Sequence, residues 1–424
     1  MDRIAIIDGV RTPFSKMGTD LNDLSAVDLG RIVTQELIER TGIDPKTVDE
    51  VIFGCVGQPT DAANIARVIA LLAGIPESKP SFTVHRNCAS GIESVVQAAM
   101  KIQLGEGSCF IVGGTESMSN IPFHLTKKLQ EIITDSNRGK TWLEKFKPWA
   151  QLRPKFLSPR IGLQLGLTDP VCGLNMGQTA EVLAKEFSIT RREQDEFALL
   201  SHKKAIAGRA LLKEEIVPVI PSPQYTKVVE FDNGPRENQS IEALTKLKPI
   251  FDKYSGTVTA GNSSQITDGA AALLVMKETL AQKLNLTPLG FLKSYLSVGV
   301  EPHRMGIGPA HAIPQILKKS GMRLKDIQAI EINEAFAAQV LSVLRALGSE
   351  AFTKQFGYEG CTGEIDRSIL NINGGAIALG HPVGATGTRL ILTILKHMKR
   401  NNLSTGLASL CVGGGQGAAV VVER

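Results

Sequence analysis

Short apolar segments alternate with amphipathic ones through the first 117 residues. Residues 25–41 place Leu29, Val33 and Leu37 on one face, the spacing of a helix that packs on a core. The segments between such helices are short and β-prone, which favours strands. The pattern predicts strands at 4–7, 51–55, 82–84 and 109–112, with helices at 25–41, 64–72 and 89–104. This alternation predicts a largely parallel sheet covered on both faces.

The alternation stops at residue 118. Residues 118–254 are rich in proline and charge, yet helical apolar faces persist at 177–186 and 192–207, which indicates an inserted domain and not a linker. A strand at 268–276 then completes the first half, and the strand–helix pattern resumes near 281. We therefore divide the chain into an N-terminal half (1–117 and 255–280), an insert (118–254) and a C-terminal half (281–424).

The two halves share one order of elements. In the first half, strand 82–84 leads to a helix, strand 109–112 and two glycines. In the second, strand 369–372 leads to helix 387–399, strand 407–410 and the glycines at 413–415. Such an order indicates a duplication, and packing of duplicated halves would bring their glycine-rich turns near one another.

Charge and cysteine content narrow the class of protein. The net charge is +5, and the six cysteines have no paired metal-ligand spacing, which favours a reducing compartment over a disulfide framework or a metal site. No apolar segment is long enough to span a membrane. The first predicted strand begins almost at the first residue, so we expect no signal or transit peptide and a cytoplasmic location.

Cys88 is the first candidate catalytic residue. It lies where strand 82–84 turns into the helix at 89–104, and helix N-termini favour a thiolate. The small residues Ala89, Ser90 and Gly91 would let a substrate reach the sulfur. We therefore expect a lowered pKa and a nucleophile. The alternative is a buried, inert cysteine, since cysteine is among the most buried residue types.

Three residues of the second half are candidate partners. His381 stands in a glycine-rich turn that the repeat makes equivalent to the turn of Cys88, and a base beside a cysteine serves thiolate catalysis. Cys411 precedes three glycines whose N–H groups could bind an oxyanion. Asn333 follows a predicted strand at 327–330. For His381 the alternative is a loop histidine with a structural role, and for Cys411 it is a hairpin with a buried cysteine. For Asn333 the alternative is a helix N-cap.

Six motifs together resemble those of the thiolase family, along essentially the whole chain. They are Val-Arg-Thr-Pro-Phe at 10–14, Asn-Cys-Ala-Ser-Gly at 87–91, Thr-Val-Thr-Ala-Gly-Asn-Ser-Ser at 257–264, Asn-Glu-Ala-Phe at 333–336, Gly-His-Pro-Val-Gly-Ala-Thr-Gly at 380–387 and Cys-Val-Gly-Gly-Gly-Gln-Gly at 411–417. The resemblance implies an α/β thiolase-like fold. This fold has two duplicated βαβαβ-type halves with mixed five-stranded sheets, an α/β/α/β/α layering and an inserted loop domain.

The resemblance also implies a role for each site residue. Cys88 would take the acyl group from a coenzyme A thioester, His381 would remove its proton and help bind the thioester oxygen, and Cys411 would move the α-proton. Asn333 would hold a water in the first oxyanion site, while the N–H groups of Cys88 and Gly413 would form the second. Residues near the pantetheine arm and tunnel would be Ser264, Met176 and Gly380. Coenzyme A thioesters would be substrates, with no permanently bound cofactor.

The insert is the basic part of the chain. Between 121 and 170 there are nine Lys/Arg against four Asp/Glu, and Trp142, Phe146 and Trp149 have the spacing of one helical face, although Pro148 would disturb that helix. Basic charge with aromatics suits an anionic membrane surface, coenzyme A phosphates or an acidic partner. Alternatively, the aromatics form a core of the insert's own.

The insert also resembles that of the β-subunits of fatty-acid β-oxidation complexes, which tend to have His-Glu where this chain has Asn333-Glu334. The resemblance makes a homodimer or a dimer of dimers the expected assembly, with a hydratase/dehydrogenase subunit as a possible partner.

The predicted activity is interconversion of acyl-CoA plus acetyl-CoA with 3-oxoacyl-CoA plus CoA, in fatty-acid β-oxidation. The alternatives are a short-chain acetoacetyl-CoA thiolase, a ketoacyl-synthase-type condensing enzyme and a non-catalytic acyl-CoA-binding protein. Cys411 before three glycines argues against the synthase. Retention of both cysteines and His381 argues against the non-catalytic protein. The sequence contains no recognised nucleic-acid-binding module, which argues against nucleic-acid binding.

Overall fold

The computed structural model describes residues 2–355 and 362–424, so Cys361 lies outside the described residues. The chain forms two compact units. The main unit comprises the residues up to Asn120 together with Asp169–Arg424, and the insert unit comprises Ile121–Thr168. The sequence-based division of the chain at 117, 254 and 280 stays a prediction.

The first part of the main unit contains the strands and helices that the apolar pattern predicts. Every predicted element from residue 4 to 112 is present, with ends that differ by a few residues. In chain order they are β1 (Ile4–Arg11), β2 (Ser15–Lys16), α1 (Ala26–Thr41), β3 (Glu50–Gly54), α2 (Ile65–Leu72), β4 (Ser81–Val84), α3 (Ser90–Leu104) and β5 (Cys109–Glu116).

The insert unit is small and exposes its aromatic residues. Its elements are β6 (Phe123–His124), α4 (Lys127–Arg138), α5 (Trp142–Phe146), β7 (Arg160–Ile161) and α6 (Gly162–Gly166). Helix α5 ends just before Pro148, as the proline predicts. Trp142 is 70% exposed and Phe146 is 68% exposed, while Leu129 and Ile132 of α4 are buried. The alternative in which the aromatics form this unit's own core is therefore wrong for Trp142 and Phe146, whereas Trp149 is 39% exposed and donates its Nε1–H to Ser136 Oγ at 2.9 Å.

The rest of the main unit contains further helices and the second half. Its elements are α7 (Met176–Glu186), α8 (Arg191–Ala207), α9 (Arg209–Leu212), α10 (Ile241–Thr245), β8 (Thr267–Lys277), α11 (Glu278–Lys283), β9 (Gly290–Gly299), α12 (Gly308–Ser320), β10 (Ala329–Ile332), α13 (Ala337–Leu347), α14 (Glu350–Gln355), α15 (Ala376–Leu379), α16 (Val383–Asn401), β11 (Thr405–Val412) and β12 (Gln416–Glu423).

The strand order carries the duplication. The order is β10-β11-β12-β9-β1-β8-β5-β3-β4, and β1 pairs antiparallel with β9, so the sheets of the two halves join along one edge. Pairing is parallel within β5-β3-β4 and β10-β11 and antiparallel elsewhere on this path, so the sheet is mixed and the prediction of a largely parallel sheet is wrong. The predicted strand at 369–372 is wrong, since Leu370 makes only one parallel bridge, to Ile330. With that bridge counted, both halves place their strands in one order.

Five layers follow from this topology. Helices α1 and α2 cover one face of the N-terminal sheet, α12 and α13 cover one face of the C-terminal sheet, and α3 and α16 pack together between the two sheets. Each sheet is thus buried on both faces, which explains the nearly continuous apolar sequence of strands such as β5 and β8. The predicted α/β/α/β/α layering is confirmed.

Candidate active site

Two helix N-termini meet in the central layer. Cys88 lies two residues before α3, and His381 lies two residues before α16. The helices approach closely because glycines line the contact: a Cβ at Gly91 would lie 2.6 Å from the backbone nitrogen of Thr388. Any larger residue at Gly91 would separate the helices. This packing places the predicted nucleophile and base at the same end of the central layer.

Burial sets the protonation state of Cys88. The pKa of its thiol is raised above the ordinary value, first because burial disfavours the charged form. The backbone N–H groups of Gly413 and of Cys88 itself lower the pKa, without overcoming the burial, and the charge of Glu116 raises it further. The predicted low pKa of a helix-start cysteine is therefore wrong, since desolvation outweighs the helix terminus.

The raised pKa makes a direct prediction for the free enzyme. A thiol whose pKa is raised keeps its proton to higher pH, so the thiolate fraction is small at neutrality. We expect alkylation of Cys88 by iodoacetamide to keep accelerating beyond about pH 8.5, the ordinary thiol value. Peptide mass spectrometry of the Cys88 peptide follows this rate. An alkylation rate that reaches its plateau below neutral pH would contradict the raised pKa of Cys88.

His381 is a buried, neutral imidazole with a defined tautomer. Burial is the first cause that lowers its pKa to about 3, and the charge of Arg389 adds to this effect. Its Nδ1 lies 2.6 Å from Thr386 Oγ1, and the Thr386 hydroxyl donates to the Pro382 carbonyl at 3.0 Å. Thr386 Oγ1 must then accept from Nδ1–H, which leaves the lone pair on Nε2. His381 is thus arranged as a proton acceptor at Nε2.

Asn333 lies against this lone pair. Its side-chain Nδ2 is 3.4 Å from His381 Nε2, and its backbone N–H donates to the Ser409 carbonyl at 2.9 Å. The side chain is fully buried, and its Oδ1 has no hydrogen-bond partner among the described residues. The alternative of a helix N-cap is wrong, because α13 begins only at Ala337. A buried amide oxygen without a partner suits a bound water or a substrate group.

Glu334 anchors the loop that carries Asn333. Its buried carboxylate accepts from Ser201 Oγ at 2.6 Å, from Asn371 Nδ2 at 2.8 Å and from the Ile377 N–H at 3.3 Å. Helix α8, helix α15 and the segment just before α15 therefore hold one loop.

Cys411 is the second thiol of the site, and it is buried. It is the second-last residue of β11, close to the Gly413–Gly415 turn that leads into β12, so the hairpin given as the alternative is present. Burial raises the pKa of its thiol, and the proximity of Cys88 raises it further. The two cysteines therefore lie within electrostatic range of each other, and Cys411 holds its proton at neutral pH.

The predicted substrate-binding residues flank this centre. A Cβ at Gly413 would lie 3.4 Å from Met176 Sδ, so Met176 borders the glycine turn. The backbone N–H of half-buried Ser264 donates to the Ala335 carbonyl at 2.9 Å, beside the Asn333 loop. Gly380 adopts φ +103°, a conformation that favours glycine, immediately before His381. All three lie in segments that adjoin the catalytic candidates.

Three supporting residues were missed in the sequence. Asn87 contacts Gly413, Thr386 fixes the ring of His381, and Glu116 accepts N–H bonds from Val56, Gly57 and Gly384 at 2.7–3.1 Å. Burial raises the pKa of Glu116 to about 7, while these N–H groups act against the shift. Only Asn87 had a sequence signal, since an asparagine before a tight turn tolerates positive φ.

Family models and a related protein match nearly the whole of this chain. The family models for the N-terminal and C-terminal domains of thiolase match residues 4–279 and 286–424. A 3-ketoacyl-CoA thiolase of Pectobacterium carotovorum is 41% identical over 100% of this chain and 97% of its own length.

Solved structures of two related enzymes are similar to this chain over its whole length. Human mitochondrial 3-ketoacyl-CoA thiolase in complex with CoA has a TM-score of 0.87 at 34% identity, over 100% of this chain and 98% of that one. The acetyl-CoA acetyltransferase of Bacillus anthracis has a TM-score of 0.86 at 38% identity, over 100% and 99%. The fold and these relatives thus define an acyltransferase. The chain belongs to the thiolase family.

Proposed function

We propose that this thiolase cleaves 3-oxoacyl-CoA with CoA, releasing acetyl-CoA and a shortened acyl-CoA, as a step of fatty-acid β-oxidation. The observation that carries the proposal is the convergence of two protonated thiols, the half-buried Cys88 and the buried Cys411, with a neutral imidazole whose lone pair is on Nε2. Carbon–carbon cleavage through a thioester enolate needs a nucleophile, a proton carrier and stabilised oxyanions.

In the first step, Cys88 Sγ attacks the 3-oxo carbon while His381 Nε2 takes the thiol proton. Both groups are neutral in the free enzyme, so the proton moves as the sulfur–carbon bond forms. The negative charge that develops on the 3-oxo oxygen is stabilised by the backbone N–H groups of Cys88 and Gly413.

In the second step, the tetrahedral adduct collapses and the bond between carbons 2 and 3 breaks. The electron pair moves into the enolate of acetyl-CoA, whose oxygen binds near His381 and a water held by Asn333. Cys411 donates its proton to carbon 2, and acetyl-CoA leaves. Its buried, protonated state suits this role.

In the last step, the thiol of CoA attacks the acyl group on Cys88. The proton of that thiol passes to the enzyme, the thioester to Cys88 breaks, and acyl-CoA leaves with Cys88 and Cys411 again protonated. The pantetheine arm lies beside Met176, Ser264 and Gly380, which border the catalytic residues.

The experiment that tests this function is thiolysis on a series of 3-oxoacyl-CoA substrates of increasing chain length, with Cys88→Ala as control. Turnover that increases with chain length and disappears in Cys88→Ala supports the proposal. Turnover confined to acetoacetyl-CoA would replace β-oxidation by short-chain metabolism. Absence of turnover on every substrate would overturn the proposal.

We also propose that the insert unit contacts a negatively charged surface, either an anionic membrane or a hydratase/dehydrogenase subunit. Trp142 and Phe146 are largely exposed within the basic segment 121–170, which supports this proposal. In the described part of the chain, no helix is both long and apolar enough to span a bilayer. Pelleting with anionic but not neutral vesicles, reduced in Trp142→Ala, would select the membrane over the subunit.

The proposed assembly is a homodimer or a dimer of dimers, in the cytoplasm. Strand β4 is the last strand on its side of the sheet order and leaves one edge for pairing with a second copy. Light scattering measures the assembly, and a monomer at working concentration would contradict it.

A further inference from the structure

The glycine turn after Cys411 is tied to the turn that carries Cys88. The side-chain Nδ2 of Asn87 donates to the Gly413 carbonyl at 2.7 Å. One residue earlier, Arg86 Nη1 donates to Gln416 Oε1 at 3.1 Å, and Arg86 Nε donates to Glu93 at 2.6 Å. Two consecutive residues before the nucleophile therefore reach across to the other half of the protein.

The backbone conformation of Asn87 directs its side chain. Its φ is +42°, in the left-handed region that asparagine tolerates better than most residues. Its own carbonyl accepts from the Ser90 N–H and the Ser90 hydroxyl, so α3 holds this turn in place. The amide of Asn87 is thus a fixed donor.

The acceptor belongs to a chain segment with much conformational freedom. Gly413 is followed by Gly414 at φ +86° and Gly415 at φ +84°. Glycine restricts the backbone least, so contacts from outside this turn decide where its N–H groups point. The Gly415 carbonyl is held by the Val300 N–H at 2.8 Å, and the Gly413 carbonyl is held by Asn87.

We propose that Asn87 is a positioning residue, whose amide fixes Gly413 so that the Gly413 N–H faces the Cys88 sulfur and the oxyanion that forms there. This inference rests on the proposed function for the oxyanion and on the hydrogen bond from Asn87 to the Gly413 carbonyl for the position of Gly413. The raised pKa of Cys88, which the Gly413 N–H partly restrains, is consistent with this contact.

The test uses two variants and one matched control. Asn87→Gly keeps the positive φ and removes the donor. Asn87→Asp keeps the backbone preference and the shape but replaces the donor by a carboxylate. His85→Ala changes an exposed residue of the same turn that accepts only from the Asn87 backbone N–H, at 3.5 Å, so the side-chain donor of Asn87 stays in place and most activity should be retained. If His85→Ala loses as much activity as His381→Ala, any change in this turn impairs the enzyme. The effect of the Asn87 variants would then not be specific, and the inference would be overturned.

We expect alkylation of Cys88 at about pH 8 to be three- to tenfold slower in both Asn87 variants, since one lost hydrogen bond changes an equilibrium by about this factor. We also expect kcat to fall by about tenfold with the KM for CoA unchanged, because donor alignment matters in the transition state. Thermal unfolding should stay close to that of His85→Ala.

A purely structural role for Asn87 would lower the melting temperature and leave the alkylation rate per folded enzyme equal to that of the control, and this result would overturn the inference. The alkylation readout does not depend on turnover. If the wild type shows no thiolysis, the proposed function fails, while the alkylation rates still decide whether Asn87 acts on Cys88.

Discussion

Cys411→Ala will separate the two halves of the reaction. Cys411 is 1% exposed, and burial keeps its thiol protonated at neutral pH, so it is the proton source for carbon 2 of the departing acetyl unit. Loss of a general acid–base group costs about 10²–10⁴-fold in rate. We expect thiolysis to fall by this amount. Transfer of an acetyl group from acetyl-CoA to Cys88 moves no proton at carbon, and it should persist.

The measurement for Cys411→Ala is CoA release after mixing with acetyl-CoA. We expect a burst of one CoA per active site without further turnover, as for a stable acyl-enzyme. Cys109→Ala is the matched control, because it removes another fully buried thiol, on β5, and should leave thiolysis intact. Loss of the burst in Cys411→Ala would show that this residue serves acylation as well, contrary to the assigned role.

His381→Ala will impair both halves of the reaction, formation of the acyl-enzyme as well as thiolysis. The imidazole takes the Cys88 proton during attack, and the raised pKa of Cys88 means that the thiol does not ionise unaided at neutral pH. We expect thiolysis to fall by about 10²–10⁴-fold and the acetyl burst to slow comparably. Rapid-quench measurement of acyl-enzyme formation checks this. An unchanged burst in His381→Ala would exclude it as the base for Cys88.

Thr386→Val tests the role of His381 without removing its imidazole ring. The variant keeps the ring and removes the acceptor for Nδ1–H, so the tautomer with its lone pair on Nε2 is no longer favoured. We expect about a tenfold loss in kcat, the scale of one hydrogen bond. Thr388→Val is the control, since its hydroxyl donates to the Gly91 carbonyl and not to the histidine. Equal losses in both variants would refute a specific role for Thr386.

The strands and helices of the first half could be predicted because their apolar spacing is regular. Helices such as α1 have clear capping residues, Ser25 at the start and Gly42 at the end. The segment at 369–372 was harder, since an apolar run does not reveal that only Leu370 pairs. The joining of the two sheets through β1 and β9 depends on a pairing between residues nearly 300 positions apart, which a local pattern does not contain.

The catalytic candidates were recognised by motif, but their electrostatics were not. A cysteine before a helix predicts a low pKa only when solvent reaches it freely, and the core around α3 leaves Cys88 partly buried. The side chains that support the site lie in distant segments. Thr386, Glu116 and Glu334 act through contacts that only the folded chain creates.

The most direct test of the account is identification of the acylated residue. Cys411→Ala is incubated with acetyl-CoA, quenched in acid and digested, and its peptides are analysed by mass spectrometry. We expect one acetyl group, on Cys88, which hydroxylamine removes because it is held as a thioester, and no acetyl group in the double variant Cys88→Ala/Cys411→Ala. Acetylation of another residue, or none with folded enzyme, would contradict the central role of Cys88.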